Sequence, residues 1–383
     1  MARALYIHWP FCAKKCPYCD FNSHVRESVD VGAWQAALLA DMRAEADVAG
    51  GERLSSIFFG GGTPSLMPPS LVERLLAEAA ELWGFEPGIE ITLEANPSSV
   101  EARNFADLAR AGVNRVSLGV QSFDDETLRW LGRLHGAQEG LKATEVAQSA
   151  FERVSFDLIY AFPGHSLGDW REQLASALAI GTSHLSLYQL TIEPGTRFAT
   201  DVRRGAFAPL DDDLAADLFD VTQEMTAAAG LPAYETSNHA VPGEESRHNL
   251  TYWRYRDYCG IGPGAHGRRG GHATVRHRKP ENYLSAVERS GHGIAEQRIL
   301  SSQEQASEAL LMGLRLVEGV NLGEFETRFG MPGKSLIEQR KLDHLCALGL
   351  MWRRGARIGV APAGRSVLDA VLGEVVADGL VQA

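Results

Sequence analysis

Leu5 to Phe21 reads LYIHWPFCAKKCPYCDF, an apolar strand-like run followed at once by Cys12, Cys16 and Cys19. Three thiols this close in sequence can surround one compact inorganic centre, and Cys thiolates hold iron–sulfur clusters, usually in fours. With three Cys ligands, one iron of a cubane keeps an open position for a small molecule. The stretch therefore predicts a [4Fe–4S] cluster held by Cys12, Cys16 and Cys19.

Zinc and a disulfide are the alternatives for these thiols. A structural zinc site takes four ligands, commonly from paired C-x2-C knuckles, and no second knuckle follows here. The remaining cysteines, Cys259 and Cys346, are isolated and distant in sequence. A disulfide framework does not fit either, because five cysteines are an odd number and their spacing is not that of paired cysteines.

The C-x3-C-x2-C pattern, with Tyr18 between Pro17 and the last Cys, resembles the radical S-adenosylmethionine (SAM) superfamily. The lead-in 6–12, YIHWPFC, is similar to the coproporphyrinogen dehydrogenase group of that superfamily. The resemblance implies that the amino and carboxylate groups of SAM bind the open iron. An electron from the cluster then splits the sulfonium and yields a 5′-deoxyadenosyl radical. In such chemistry the protein supplies position and electrostatics.

Composition narrows the class of protein. A chain of 383 residues is expected to form two domains, or one large barrel and a smaller unit. A net charge of −12 argues against a nucleic-acid partner, which would favour a basic face. Cysteine usage suits a reducing cytoplasm. We expect no removable signal peptide and no integral membrane protein, since no apolar run reaches the roughly 20 residues of a span.

Short β-rich runs alternate with helix-like runs through the first 230 residues. The strand-like runs are 4–9, 55–60, 88–95, 115–121, 153–162 and 184–190. This alternation predicts parallel strands joined by right-handed crossovers. We therefore predict an α/β fold whose core is a partial (β/α)6 relative of the TIM barrel, which has about eight such units. The family resemblance implies the same barrel.

The chain changes character near residue 300. Ser301 to Glu304 has the pattern of a helix capping box, and helix-like runs then flank a short hairpin. This pattern predicts a small winged-helix-like α+β domain, which resembles the C-terminal domain of the same family. Because this domain has no excess of basic residues, we interpret it as a lid or docking element. The predicted domains are a radical SAM core at 1–230, a barrel-closing segment at 231–299, and this domain at 300–383.

Distinctive residues fall where the predicted strands end, the edge at which barrels of this kind place their sites. The second strand runs into Gly60-Gly61-Gly62-Thr63-Pro64, the third ends at Glu94 and the fourth at Gln121. The fifth carries Asp157 among apolar residues. A buried Asp needs a partner; a ribose hydroxyl would serve, and backbone capping is the alternative.

The family resemblance assigns SAM contacts to these positions and to three others. Arg133 is the natural partner of the SAM carboxylate, because a guanidinium pairs carboxylates through two parallel hydrogen bonds. The implied SAM contacts are Tyr6, Gly61, Gly62, Thr63, Glu94, Gln121, Arg133, Asp157 and Thr191.

Residues 233–267 are rich in His, Tyr and Gly and contain His248-Asn249-Leu250-Thr251-Tyr252-Trp253. From the residues alone two interpretations stand: an ordered loop whose His and Asn bond the backbone, or a porphyrin site with flat aromatic walls and an axial ligand. In the porphyrin interpretation His248 is the candidate iron ligand. The candidate walls are Tyr252, Trp253, Tyr255 and Tyr258, and the candidate propionate partners are Arg247, Arg254 and Arg256.

Two functions compete within the resembled family. Oxygen-independent coproporphyrinogen III oxidases, which decarboxylate two propionates, carry a fourth Cys where Phe21 stands here. They also carry an N-terminal extension, which we do not expect here. The HNxxYW pattern, at His248, Asn249, Tyr252 and Trp253, is typical of the haem chaperones of the family. It implies haem as ligand and haem-accepting respiratory proteins, at the membrane surface, as partners.

The sequence thus favours a cytoplasmic haem chaperone that lacks coproporphyrinogen III oxidase activity. A radical SAM enzyme acting on another tetrapyrrole or small molecule is the third interpretation. The residues leave open which side chain ligates haem, whether haem is bound covalently, which protein receives it, whether SAM is cleaved during function, and the oligomeric state.

Overall fold

The computed structural model describes residues 4–49 and 52–377, and its strands form one large and two small sheets. Positions 378–383 of the predicted C-terminal domain lie outside the described residues. In the described part of the chain the strands, in chain order, are β1 (Ala4–Trp9), β2 (Phe11–Cys12), β3 (His24–Val25), β4 (Leu54–Gly61), β5 (Phe85–Ala95), β6 (Arg115–Gln121), β7 (Arg153–Tyr160), β8 (His184–Gln189), β9 (Asn238–Ala240), β10 (Tyr258–Ile261), β11 (His266–Arg269), β12 (His272–Arg276), β13 (Ile294–Ile299), β14 (Val320–Asn321), β15 (Met351–Arg354) and β16 (Arg357–Val360).

Helices connect the strands of the large sheet and build most of the C-terminal region. In the described part of the chain they are α1 (Val31–Ala49), α2 (Pro69–Leu82), α3 (Ser99–Ala102), α4 (Phe105–Arg110), α5 (Asp125–Trp130), α6 (Ala137–Ala150), α7 (Leu167–Ala179), α8 (Arg197–Arg203), α9 (Asp212–Ala228), α10 (Arg247–Trp253), α11 (Pro280–Ser290), α12 (Ser302–Gly313), α13 (Phe325–Phe329), α14 (Gln339–Ala347) and α15 (Leu368–Val375).

Six adjacent parallel strands form the wall that carries the predicted site. The large sheet runs β13-β12-β11-β10-β1-β4-β5-β6-β7-β8-β9 among the described residues, and β1, β4, β5, β6, β7 and β8 pair in parallel. These are the six predicted strands. The predicted α/β fold with a partial barrel is therefore confirmed.

Side chains alternate along each strand between an apolar outer face and a polar inner face. Leu5, Ile7 and Trp9 of β1 belong to the core that packs under the helices. Midway along β5 to β8 the inner face carries buried short polar side chains, namely Thr92, Ser117, Ser155 and Ser186. Small inner side chains leave room for a cavity, whereas a complete TIM barrel fills its interior with bulky branched residues.

The sequence did not indicate that the sheet continues beyond β1. β10 pairs in parallel with β1, and β11 to β13 add antiparallel strands outside it. A buried ionic network ties this extension to α1: Arg276 Nη2 lies 2.6 Å from Glu45, and Tyr283 donates to Asp41 at 2.9 Å. Arg269 also pairs with Glu45. The charges are compensated by their partners, as burial requires.

The segment between α9 and β10 crosses the N-terminal end of the parallel strands. β9 pairs antiparallel with β8. Arg153 of β7 donates to Glu244 and to Glu90 of β5, both at 2.7 Å. His184 Nε2 lies 3.0 Å from the hydroxyl of Tyr234. The segment covers the strand ends that lie opposite the predicted site.

The C-terminal region has its own hydrophobic core, built from α12 to α15 and the small sheet β14-β16-β15. The predicted capping box is present, with Ser301 and Glu304 bonding each other's backbone N–H. The predicted hairpin is β15–β16. Tyr255, just after α10, is buried in this second core, so the core contacts the 231–299 segment. None of the described helices combines the length and the apolar character needed to cross a membrane.

Candidate functional site at the carboxyl ends of the parallel strands

The Cys loop is fixed against the end of β4 by backbone hydrogen bonds. Gly62 N–H donates to Trp9 O at 2.7 Å, and Thr63 N–H donates to Phe11 O at 2.8 Å. A Cβ at position 62 would lie 2.6 Å from that Phe11 oxygen, a distance no other residue type could accept. This glycine therefore lets the strand end and the Cys loop meet, a role that differs from the expected approach to a ligand.

A cavity of about 470 Å³ opens beside this loop, and Cys12, Cys16 and Cys19 all line it. Burial raises the pKa of the Cys12 and Cys19 thiols. Among the described residues, no three His, Cys, Asp or Glu side chains are placed to hold a single metal ion. Both the iron–sulfur cluster and the zinc alternative therefore stay predictions.

Eight of the nine residues implied as SAM contacts line the same cavity. They are Gly61, Gly62, Thr63, Glu94, Gln121, Arg133, Asp157 and Thr191. Tyr6 is not among the lining residues: its hydroxyl lies 3.0 Å from Nδ1 of His8, and its ring stacks on Phe58. Tyr6 lies in the wall below the cavity, because its position on β1 is set back from the carboxyl end of the strand.

Two carboxyl groups give the cavity its electrostatic character. Burial raises the pKa of Glu94 to about 8, the neighbouring Asp157 adds to the shift, and the N–H of Gly61 opposes it from 3.2 Å. Burial raises the pKa of Asp157 to about 6, against hydrogen bonds from Ser186 and Ser117. A cationic or hydroxyl-bearing ligand would stabilise the charged forms of both groups.

Arg133 reaches the cavity from the turn after α5, and three hydrogen bonds hold its guanidinium. It donates to Asn96 Oδ1 at 2.6 Å, to Gly119 O at 2.7 Å and to the Cys16 thiol at 3.6 Å. Asn96 Nδ2 donates in turn to Thr63 at 3.2 Å, and the Thr63 hydroxyl donates to the Cys12 thiol at 3.5 Å. Two of the three thiols thus receive a hydrogen bond.

The cavity lining also holds buried polar atoms that the protein leaves unsatisfied. Within the described residues, neither Oε1 of Gln121 nor Nε of Arg133 finds a hydrogen-bond partner. Such groups are costly unless a ligand or water satisfies them. Three thiols, an arginine, two carboxyls and these unsatisfied atoms around one cavity fit an iron–sulfur cluster with SAM beside it.

The HNxxYW motif lies elsewhere, on α10 below the N-terminal end of the strands. Its His248, Asn249, Tyr252 and Trp253 are absent from the described lining of the cavity. His248 is buried, with Nδ1 3.1 Å from Ser56 Oγ and Nε2 2.6 Å from the Tyr252 hydroxyl. Its ring stacks on Phe58, and burial lowers its pKa to about 3.

Both ring nitrogens of His248 are therefore engaged within the protein. Iron ligation by His248 stays a prediction, and it would require the hydrogen bond at one of these nitrogens to break. Asn249 and Trp253 are separated by one helical turn, share another face of α10 and are half-buried. Tyr252 is half-buried as well, so these three motif residues, unlike His248, are partly exposed.

The candidate walls and propionate partners are also engaged. Arg254 pairs with Glu318 at 2.9 Å, and Arg247 donates to Gly88 O at 2.7 Å. Tyr255 is buried beneath Arg268, whose guanidinium carbon lies 3.5 Å from the ring centroid. Arg254 and Tyr255 thus connect α10 to the C-terminal region, while Arg247 connects it to β5.

Sequence reasoning missed several lining residues. Asn96 follows Glu94 by two positions in the same LEANP stretch, and this spacing after a strand was its available signal. Gly119, Tyr188 and Glu193 also line the cavity. Nothing in their local sequence distinguishes them from ordinary strand and loop residues.

Comparison with known proteins defines the class first. Residues 6–176 match the Radical SAM superfamily, and residues 300–367 match the HemN C-terminal domain. The fold resembles coproporphyrinogen III oxidase (HemN) from Escherichia coli, with a TM-score of 0.82, 21% identity, and coverage of 97% of this chain and 89% of that one. At that identity the likeness shows the fold alone.

Full-length relatives then narrow the family. Heme chaperone HemW of Escherichia coli is 38% identical, covering 96% of this chain and 97% of its own length. Heme chaperone HemW of Bacillus subtilis is 32% identical, covering 97% and 100%. The mitochondrial radical S-adenosyl methionine domain-containing protein 1 of Bos taurus is 41% identical, covering 96% and 86%. The chain belongs to the HemW family of radical SAM proteins.

Proposed function

We propose that the chain is a haem chaperone, which binds haem and passes it to acceptor proteins. The observation that carries the proposal is the similarity to proteins named heme chaperone HemW along almost the whole length of both chains. The likeness to coproporphyrinogen III oxidase, by contrast, rests on the fold. Respiratory proteins at the membrane surface are the proposed acceptors, and the cytoplasm is the proposed location.

The proposal includes a [4Fe–4S] cluster on Cys12, Cys16 and Cys19, with SAM in the adjoining cavity. The supporting geometry is the shared lining of one cavity by the thiols and by eight implied SAM contacts. When bound, cluster and SAM together supply one-electron chemistry. Arg133 would bind the SAM carboxylate, while the buried Glu94 and Asp157 would face the ammonium and the ribose.

For haem we propose contacts with the accessible face of α10, at Asn249 and Trp253. Both are half-buried and belong to the HNxxYW motif, whereas His248 would have to give up its bond to Ser56 or Tyr252 before it could bind a haem iron. An aromatic side chain suits the flat apolar face of a porphyrin. Trp253→Ala should therefore weaken haem binding more than His248→Ala does.

The runner-up is an oxygen-independent coproporphyrinogen III oxidase. Phe21 lines the cavity at the position where those enzymes carry a fourth Cys, and its side chain is 58% exposed. An exposed aromatic at the mouth supplies neither a ligand nor a thiol for chemistry. We therefore propose that propionate decarboxylation is absent.

One paired experiment separates the two functions. Anaerobically reconstituted protein is titrated with haem and followed at the Soret band, and the same preparation is assayed with coproporphyrinogen III, SAM and a reductant. A saturating end point at one haem per chain, without decarboxylated product, supports the chaperone. Product above background would establish the oxidase, and unsaturable haem uptake would indicate adsorption to apolar surface.

A further inference from the structure

Asn96 joins the hydrogen bonds by which Arg133 and Thr63 reach the thiols of Cys16 and Cys12. Its amide oxygen accepts from Arg133 Nη2 at 2.6 Å, and its amide nitrogen lies 3.2 Å from Thr63 Oγ1. Arg133 also reaches Cys16 at 3.6 Å, and Thr63 reaches Cys12 at 3.5 Å. The five groups form one continuous chain of hydrogen bonds between two of the three thiols.

The direction of every hydrogen bond in this chain follows from donor chemistry. A guanidinium only donates, so the atom of Asn96 that faces Arg133 must be the oxygen. The amide nitrogen then faces Thr63 and donates to its hydroxyl oxygen. With its oxygen accepting from Asn96, Thr63 has its own proton available for Cys12. The amide of Asn96 thus sets the orientation of the Thr63 donor and restrains the Arg133 donor.

The backbone of Asn96 is itself held in place. Its N–H donates to Glu101 Oε2 at 2.8 Å, and Pro97 follows, which restricts the preceding residue to extended conformations. Glu101 is buried and also accepts from Ser65. The side chain of Asn96 therefore projects from a rigid point at the mouth of β5.

We propose that Asn96 is a positioning residue that tunes the reduction potential of the cluster by aiming the Thr63 and Arg133 hydrogen bonds at Cys12 and Cys16. The inference rests on the proposed cluster. Hydrogen bonds to cluster sulfurs help set the potential, and groups beyond the ligands tune a metal centre. Donors directed at thiolates favour the more negative, reduced state, so these bonds raise the potential.

The test is the midpoint potential of the full reconstituted chain, measured by an anaerobic redox titration monitored by EPR. Asn96→Ala should make the midpoint potential more negative by about 59 mV. For one electron this corresponds to a roughly tenfold lower ratio of reduced to oxidised cluster. Asn96→Asp should move it further, because a carboxylate draws the Thr63 proton away from Cys12 and adds negative charge. Thr63→Val, which removes one arm, should move it least.

Asn114→Ala is the matched control. The Asn114 amide accepts from Ile91 N at 2.8 Å and donates to Ile89 O at 2.7 Å, so it braces the same strand, β5, at a distance from the thiols. Its loss should lower the melting temperature without moving the potential. An equal potential shift in Asn114→Ala would reduce the Asn96 effect to general loosening and overturn the inference.

The remaining outcomes are also decisive. Wild-type potentials in Asn96→Ala and Asn96→Asp, each with a full cluster, would refute the tuning role. If both variants and Thr63→Val assemble no cluster while Asn114→Ala does, the chain of bonds serves assembly instead, and the tuning role is rejected. A wild-type chain that assembles no cluster would refute the proposed function itself, a result distinct from the other two.

Discussion

The cavity at the carboxyl ends of the parallel strands and helix α10 at their amino ends both carry polar and aromatic side chains that the sequence singles out, yet these two sets of side chains differ in how they are satisfied. At the carboxyl end, Gln121 and Arg133 keep buried atoms without partners in the described structure, and Glu94 carries a raised pKa. At the amino end, both ring nitrogens of His248 are bonded. Unsatisfied atoms that line a cavity fit a ligand there, whereas the bonds of His248 fit a structural role.

The largest expected effect is the loss of the cluster when its ligands are removed. Replacing Cys12, Cys16 and Cys19 together by Ala should abolish iron and acid-labile sulfide, because no thiolate then remains at the cavity. Anaerobic metal and sulfide analysis with EPR measures this. Cys346→Ala, which changes a half-buried thiol in α14, should retain the full cluster. A cluster at full occupancy in the triple variant, or stoichiometric zinc in the wild type, would contradict the assignment.

At the amino end, His248→Ala should act on stability. It leaves Ser56 and Tyr252 without their buried partner and opens space beside Phe58, which should cost about 2–4 kcal/mol of the free energy of unfolding. Chemical denaturation measures this, with the exposed His344→Ala as control. The haem stoichiometry and Soret band should stay as in the wild type. A lost or shifted Soret band in a variant that remains folded would restore His248 as a haem ligand.

At the carboxyl end, Arg133→Ala should act on binding. Removing a charged hydrogen-bond partner of the SAM carboxylate should weaken SAM binding by roughly tenfold to a hundredfold. Calorimetry on the reconstituted protein measures the affinity, and Arg129→Ala, an exposed arginine of α5, is the matched control. An affinity equal to that of the wild type would remove Arg133 from the SAM site.

The smallest effect is a pH dependence at Glu94. Its pKa is about 8 in the folded protein against an ordinary value of 4.5, so between these values the folded state holds a proton that the unfolded state has lost. Wild-type stability therefore falls as pH rises through this window. Glu94→Gln removes the titration, so its stability relative to the wild type should rise by on the order of 1 kcal/mol between about pH 7 and about pH 8.

Thermal unfolding of the two proteins, prepared in the same way, checks this pH dependence. The exposed Glu326→Gln of α13 should show the same difference from the wild type at both pH values. A Glu94→Gln difference that is flat across the window would mean that the carboxyl is already charged in the folded protein. The contrast between the two strand ends would then be weaker than their hydrogen bonding indicates.

Periodicity predicted the barrel strands because each has an apolar outer face that packs under helices. It missed β10, which has four residues, one of them a glycine, within a stretch rich in Tyr and Gly. The residue after it, Gly262, donates to the carboxylate of Asp41, which lies 221 residues earlier in the chain. No local pattern encodes a pairing of this kind.

The candidate site was predictable where a motif names its residues, as for the Cys loop and Arg133. It was not predictable where the role depends on neighbours in space. Asn96 has its role because it bonds to Arg133 and Thr63. Tyr6 directs its hydroxyl toward His8 and does not line the cavity. The HNxxYW pattern indicated the family. Only the structure showed that His248 is bonded to Ser56 and Tyr252, whereas Asn249 and Trp253 are partly exposed.

The position of β1 between β4 and β10 has a consequence for the order of events during synthesis. β1 leads directly into the Cys loop, yet one of its two neighbours is Tyr258–Ile261. The ribosome must add about 250 further residues before that neighbour exists, roughly ten to fifty seconds at ordinary elongation rates. For that time the three thiols follow a strand that is paired on one side at most, so we expect cluster insertion to be completed only after β10 has been synthesised.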